Sequence, residues 1–345
     1  MNLLFYLLVF LLVLIVSSTT NKLLPFLPMP LIQILLGIGI GLCLPNNQYH
    51  LDTELFLALV IGPLLFREAQ EADITSILKH WRIVLYLIFP VIFISALSMG
   101  GVAHVLWASL PLAACVAVGA ALGPTDLVAF ASLSQRFSFP KRVSNILKGE
   151  GLLNDASGLV AFRMALIAWT TGTFSLTQAG TSLAISIIGG FAVGFITALI
   201  NRFLHTFLLS VRATDIASEL LLELSLPLLT FFIAEEIHVS GIIAVVVAGI
   251  LKASRFKKIN LLEAQVDTVT ETVWRTVTFM LNGSVFVILG MELEMIAEPI
   301  LKSAFYNKVL LLLSVFLLTF LLFAIRFVMI YGFYVFRIKR LQKSL

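Results

Sequence analysis

The run SLPLAACVAVGAALGPTDLVAFASL, residues 109–133, decides how the chain folds. It is apolar enough to cross a bilayer, whose hydrocarbon core takes about 20 residues of helix. At its centre stands Gly123-Pro124-Thr125-Asp126. Proline removes a backbone donor and clashes with the preceding turn, and glycine weakens a helix. The four residues therefore predict a helix that unwinds in mid-membrane. Such a break is tolerated only where it faces protein or water, and it turns carbonyls and half-helix ends towards an ion. The alternative is a loop between two spans, with Asp126 as an N-cap. It would leave halves of about 14 and 7 residues, the second too short to cross. The discontinuous helix is the better reading, and it makes Asp126 a carboxylate placed at a break.

The rest of the chain has the composition of a membrane bundle. Of 345 residues, 60% are hydrophobic and 12% charged, and the mean hydropathy is +1.05. A soluble domain carries roughly 25% charged residues, so lipid is the solvent here. The formal charge of +4 lies in short loops, where it reports topology and not nucleic-acid binding. No zinc spacing or phosphate-cradling loop is present. Cys43 and Cys115 lie in apolar runs and read as free, membrane-buried thiols. The five histidines sit near span ends without metal-ligand spacing, and none is read as a site. The apolar N-terminus, residues 1–16, lacks a basic n-region and a cleavage site, so it reads as a retained span.

About 11 spans follow: 3–18, 23–44, 51–66, 81–100, 109–133, 144–170, 179–201, 213–236, 238–251, 271–291 and 304–336. The fold class is an all-α transmembrane bundle, with residues 1–345 as one domain. Loop charges alternate. Lysine and arginine gather after spans three, five, seven, nine and eleven, while the intervening loops hold one, Lys302. Positive residues stay in the cytoplasm, which places the N-terminus outside and the C-terminus inside.

Ionisable residues inside a span are expensive and usually functional. Besides Asp126, they gather in Gly149-Glu150-Gly151-Leu152-Leu153-Asn154-Asp155. At 3.6 residues per turn, Gly151, Asn154, Asp155, Gly158 and Phe162 share one face, mostly small or polar. That suits a packed, ion-facing surface. Glu150 and Asp155 could also be first-turn carboxylates favoured by the helix dipole, but Asp155 lies deep for that role. Arg326, in mid-span, needs a carboxylate partner, and Arg163 could pair with one. Glu219 and Glu223, one turn apart, read as interfacial, as do Glu235 and Glu236.

At these residues the chain resembles the sodium/proton exchangers of NhaP and NHE type. The matching segments are GPTDLVAF (123–130), LKGEGLLNDASGLVAFR (147–163), AEEIHVSGIIAVVVAGI (234–250) and LNGSVFVILGMEL (281–293). The resemblance covers nearly the whole chain, and SGLVAFR is closer to bacterial members. It implies a bundle that forms homodimers in the plasma membrane and exchanges Na⁺, Li⁺ or K⁺ for H⁺ without a cofactor. By that pattern Asp155 is the main carboxylate binding Na⁺ and proton, with Asp126 and Thr125 lining the site and Asn154 supporting it. The Asn-Asp order goes with electroneutral exchange. Glu150 and Arg326 match the family's structural ion pair, and Glu68 matches a third-span acid near the site. Gly151 stands where the family usually has serine, and Lys148 where an acid is common. The family continues beyond the span of Arg326 with a second broken helix and a final span. The chain therefore resembles the first 11 of 13 spans, C-terminally short. Two other readings remain open: a truncated, transport-inactive protein or regulatory subunit that keeps the exchanger fold, and a cation channel.

Overall fold

The computed structural model describes residues 2–43, 52–125, 139–172, 176–211, 215–253, 261–302 and 308–342. Every described regular element is a helix, and each of the eleven expected spans is represented. The chain is an all-α, polytopic membrane protein. Helix α1 (Asn2–Leu23) runs five residues further than expected. Leu24 N–H still donates to Thr20 O, and Pro25 and Pro28 then stop the helix. The second span is correspondingly shorter: α2 is Met29–Cys43, with Pro30 in its first turn, where a missing donor costs nothing.

Helix α3 (53–71) starts at Asp52, whose carboxylate accepts from the N–H groups of Glu54 and Leu55 at 3.0 and 3.2 Å. It widens to a π-turn at Leu57–Ile61, just before Gly62-Pro63. The same event recurs in α5 (Trp81–Leu106), where the π-turn Leu87–Val91 contains Pro90. In both, proline cannot complete the ordinary i→i−4 ladder, and the helix opens by one residue instead of breaking. Between them lies the short α4 (Ile74–Lys79), which hydropathy alone did not signal.

Helix α6 (Leu112–Leu122) spans only about 16 Å at 1.5 Å per residue, roughly half of a hydrocarbon core. Then follow α7 (Lys141–Thr171), α8 (Leu176–Ser210), α9 (Ile216–Glu236), α10 (Gly241–Ala253), α11 (Leu261–Lys302) and α12 (Lys308–Gln342). A capping box of Asp215 and Ser218 opens α9. Glu235, read as interfacial, accepts from the Gly241 N–H at 3.2 Å and so starts α10.

The helices gather in two compact units. The first holds α1, α2, α3, α8 from residue 184, α9, α10 and α11. At its α2–α11 crossing the backbones touch. A Cβ on Gly37 would strike the carbonyl of Val287, and one on Gly290 the carbonyl of Ile34. Lipid provides no hydrophobic drive between helices, so small residues that allow backbone contact hold such crossings. Trp274 of α11 is fully buried, its ring 5.9 Å from that of Phe66 in α3.

The second unit holds α5, α6, α7 and α12, with most of α4 and the first turns of α8. Its core includes Met99, Ala103, Cys115 and Leu318, with Ala96, Ala120 and Ala161 forming an all-alanine contact. Cys115 is buried as expected, whereas Cys43 is exposed at the end of α2; both are free. Large apolar side chains elsewhere point outwards, as with Phe316, Phe320, Phe323 and Phe327 of α12. This is the pattern of a protein whose solvent is hydrocarbon.

Candidate functional site

The second unit builds its polar centre where α6 stops. The last helical residue is Leu122, and Gly123-Pro124-Thr125 leave the helix. The helix thus ends at Gly123-Pro124, where the sequence places the start of the break. Its continuation, including Asp126, lies outside the described residues. Gly158 of α7 fits against the break: a Cβ there would collide with the ring of Pro124. That close approach lets α7 pass directly beside the unwound segment.

Three side chains then claim the groups that the break releases. Asn154 of α7 donates through Nδ2 to both Thr125 Oγ1, at 2.6 Å, and Thr125 O, at 3.2 Å. Thr125 Oγ1 donates in turn to Glu150 Oε1 at 3.3 Å. Arg326 of α12 reaches in from the far end of the sequence. Its Nη2 donates to Gly123 O and to Glu150 Oε1, each at 3.0 Å. In a continuous helix the carbonyl of Gly123 would accept from the next turn; here a guanidinium takes that place.

The electrostatics follow from burial. Glu150 is 2% exposed and Asn154 fully buried. An unpaired carboxylate at such a depth is prohibitive, so Glu150 stands because Arg326 and Thr125 serve it. Asn154 Oδ1 is buried without a partner among the described residues. A buried carbonyl oxygen left over in a polar centre calls for an explanation.

The expected residues divide as follows. Gly123, Pro124, Thr125, Glu150, Asn154 and Arg326 come together as one cluster. Asp155 lies in α7 directly after Asn154, but its side chain, like all of Asp126, lies outside the described residues. Glu68 lies half-buried on α3, in the first unit. Arg163 is exposed and makes no ion pair among the described residues.

Residues 7–345 match the sequence family described as sodium/hydrogen exchanger, transmembrane. The chain belongs to the sodium/hydrogen exchanger family. It is 35% identical over 335 residues to the sodium, potassium, lithium and rubidium/H⁺ antiporter of Bacillus subtilis, covering 97% of this chain and 50% of that protein. The protein of the same name from Bacillus pumilus is 34% identical, over 92% of this chain and 47% of its own length. The chain thus spans about half the length of these curated relatives. Its fold is that of the sodium proton antiporter MjNhaP1 from Methanocaldococcus jannaschii. The TM-score is 0.62 at 19% identity, covering 84% of this chain and 71% of that one. The family is one of transporters and not of enzymes.

Sequence reasoning missed one polar assembly, which lies in the first unit. Glu219 and Glu223, read as interfacial, are both turned inwards. Glu219 Oε1 is 3.0 Å from His205 Nε2, and Glu223 meets Gln70 Nε2 at 3.0 Å and Lys252 Nζ at 3.6 Å. Lys252, which the sequence placed in a loop, ends α10 and also donates to Asn201 Oδ1 at 3.1 Å. A signal was available: Asn201 and His205 on α8, like Glu219 and Glu223 on α9, are polar pairs four residues apart on otherwise apolar helices.

Proposed function

We propose that this chain exchanges a monovalent cation for a proton across the membrane, with Asp155 and Asp126 as the carboxylates that bind either ligand. The observation that carries the reading is the arrangement at the break. Thr125 is held by Asn154, so the residues directly after each, Asp126 and Asp155, start from two anchored backbones. Thr125 and Asn154 offer oxygen atoms of the kind a small hard cation prefers, and the proposal adds the two carboxylates to them.

The mechanism is competition. A partly desolvated carboxylate holds its proton to higher pH, and a neighbouring like charge raises that further. Either ligand can then win at physiological pH. Alternating exposure of the loaded site to the two faces gives transport, with no nucleotide or redox step. Glu150 and Arg326 are structural in this scheme: they fix α12 to the break and cancel each other's charge. The two Bacillus relatives bear names that include Na⁺, K⁺, Li⁺ and Rb⁺, which supports a broad monovalent selectivity here. The Asn154-Asp155 order supports an electroneutral cycle. The homodimer, the plasma-membrane location and the part of Glu68 as an ion-site acid belong to the same proposal.

The test is proteoliposomes loaded with a pH-sensitive dye. Adding Na⁺ or K⁺ outside is expected to alkalinise the lumen, as the cation enters and protons leave, with no change when the membrane potential is clamped. In the Asp155→Asn variant the signal is expected to fall to that of protein-free liposomes. Full exchange by that variant would overturn the assignment of Asp155, and a cation current without pH change would make the protein a channel.

A further inference from the structure

The second unit is unevenly charged. In the segments that compose it the only acids are Asp126, Glu150 and Asp155, and Glu150 is taken by Arg326. Lysines and arginines gather at one end of it. Gly149 of α7 packs against α4 and α5: a Cβ there would stand 3.2 Å from the side chain of Ile77 and 3.3 Å from that of Val84. That contact brings α7 at Lys148 against the α4–α5 corner, which carries Lys79 and Arg82. Lys141 and Arg142 open α7, about two turns before Lys148. All five cations are exposed, and among the described residues none makes an ion pair. The acids next in sequence are Glu71, paired with Arg67, and Asp73, which directly precedes α4.

Helix α12 ends on the same side. Leu318 shares a core with Met99, and the ring of Phe333 lies 4.6 Å from that of Tyr86. The helix therefore runs antiparallel to α5. Its last turns, with Arg337, Lys339 and Arg340 in their sequence, finish beside the start of α5.

The apolar side chains set the depth of these charges. Trp81, Leu85 and Phe89 follow one another at four-residue spacing, all exposed, and form a lipid-facing stripe of α5. Trp81 ends that stripe, and tryptophan favours the boundary between hydrocarbon and headgroups. Leu78 of α4, 63% exposed, is a second apolar anchor beside it. The Arg82 guanidinium lies 5.5 Å from the centre of the Trp81 ring. A cation held over an aromatic face keeps its place, so Arg82 is fixed at headgroup height.

We propose that the α4–α5 corner and the start of α7 form a binding site for an anionic phospholipid. Lys79, Arg82 and Lys148 take the phosphate, and the acyl chains lie along Leu78, Trp81 and Leu85. A zwitterionic lipid offers the same phosphate but brings its own ammonium, which the cluster repels. A lipid with net negative charge does not. General attraction of loop cations to an anionic surface needs neither a fixed guanidinium nor apolar anchors, and here the fold supplies both. The inference does not depend on the exchange reading above.

The test is thermal unfolding of the whole chain in detergent with added dioleoylphosphatidylglycerol, dioleoylphosphatidylcholine or inorganic phosphate. Phosphatidylglycerol is expected to raise Tm by about 2–4 °C over phosphatidylcholine, and inorganic phosphate to leave it unchanged. In Lys79→Gln/Arg82→Gln/Lys148→Gln the difference between the lipids is expected to vanish. The charge-keeping Lys79→Arg/Arg82→Lys/Lys148→Arg is expected to retain it, as is Arg202→Gln/Arg275→Gln, which removes exposed cations of the first unit. Native mass spectra give a second readout, with fewer phosphatidylglycerol adducts expected on Arg82→Gln and on Trp81→Ala than on the wild type. An unchanged lipid difference in the glutamine triple variant would overturn the site. So would its equal loss in Arg202→Gln/Arg275→Gln, which would make the attraction diffuse. If the triple variant does not fold, equal adducts on the wild type and both single variants would overturn it. The same rise with inorganic phosphate would overturn the lipid as the ligand.

Discussion

Glu150 shows how one buried charge organises the centre of the second unit. Its Oε1 receives a guanidinium and a hydroxyl, and each of those donors also fixes the break, Arg326 through Gly123 O and Thr125 through its own backbone. Removing the carboxylate strands a cation among apolar helices. Glu150→Gln is expected to destabilise the protein by about 3 kcal/mol, at the low end for a buried pair because the Arg326 side chain keeps 20% exposure. The double variant Glu150→Gln/Arg326→Gln is expected to recover part of that loss, since no charge is then left alone. Denaturant unfolding in detergent measures both. An unpaired Arg326 that costs nothing would mean that solvent or lipid headgroups already serve it.

At the scale of elements, helices meet through small residues or are interrupted by prolines. The crossing of α2 and α11 depends on Gly37 and Gly290, whereas Gly39, two residues further on, has nothing near its missing Cβ. The same substitution should then act in opposite directions. Gly37→Ala forces two backbones apart and is expected to cost about 1–3 kcal/mol. Gly39→Ala meets open space and is expected to stabilise by about 0.5–1 kcal/mol, because alanine is the better helix former. Thermal unfolding of the two variants side by side checks this. The prolines divide similarly. Pro63 and Pro90 open π-turns and leave their helices continuous, whereas Gly123-Pro124 ends α6. A neighbouring helix that supplies partners for the freed groups, as α7 and α12 do at Gly123 and Thr125, makes the full break affordable.

For the whole molecule, the loop charges make an independent prediction. With the C-terminus cytoplasmic and the N-terminus outside, a reporter that is active only in the cytoplasm is expected to work when fused after Leu345. It is expected to fail when fused after residue 47, in the loop between the second and third spans. The opposite pattern would invert the orientation. Among the described residues, five helices are each long and apolar enough to cross a bilayer, and shorter apolar helices such as Leu112–Leu122 and Gly241–Ala253 accompany them. A bundle that mixes full and short helices keeps polar groups at mid-depth only where other helices cover them.

Much of this was legible in the chain itself. Helix type and the places of the apolar runs follow from hydropathy, which is local: lipid demands internally bonded backbone wherever the run is apolar. Gly123-Pro124-Thr125-Asp126 announced the break for the same reason, because proline and glycine act on their own turn. The pairing of Glu150 with Arg326 was legible only through resemblance to the exchanger family, since 176 residues separate them. The His205–Glu219 and Glu223–Lys252 contacts were not legible at all. Each charge lay near a span end, where lone charges are ordinary, and only the packing of α3, α8, α9 and α10 turned them towards one another. The sequence by itself determined that the chain spans the membrane, where α6 ends and which residues carry mid-span charge. The tertiary structure alone decided which charges neutralise one another, because in a low-dielectric interior that depends on distances of 3–4 Å between helices that the order of residues does not encode.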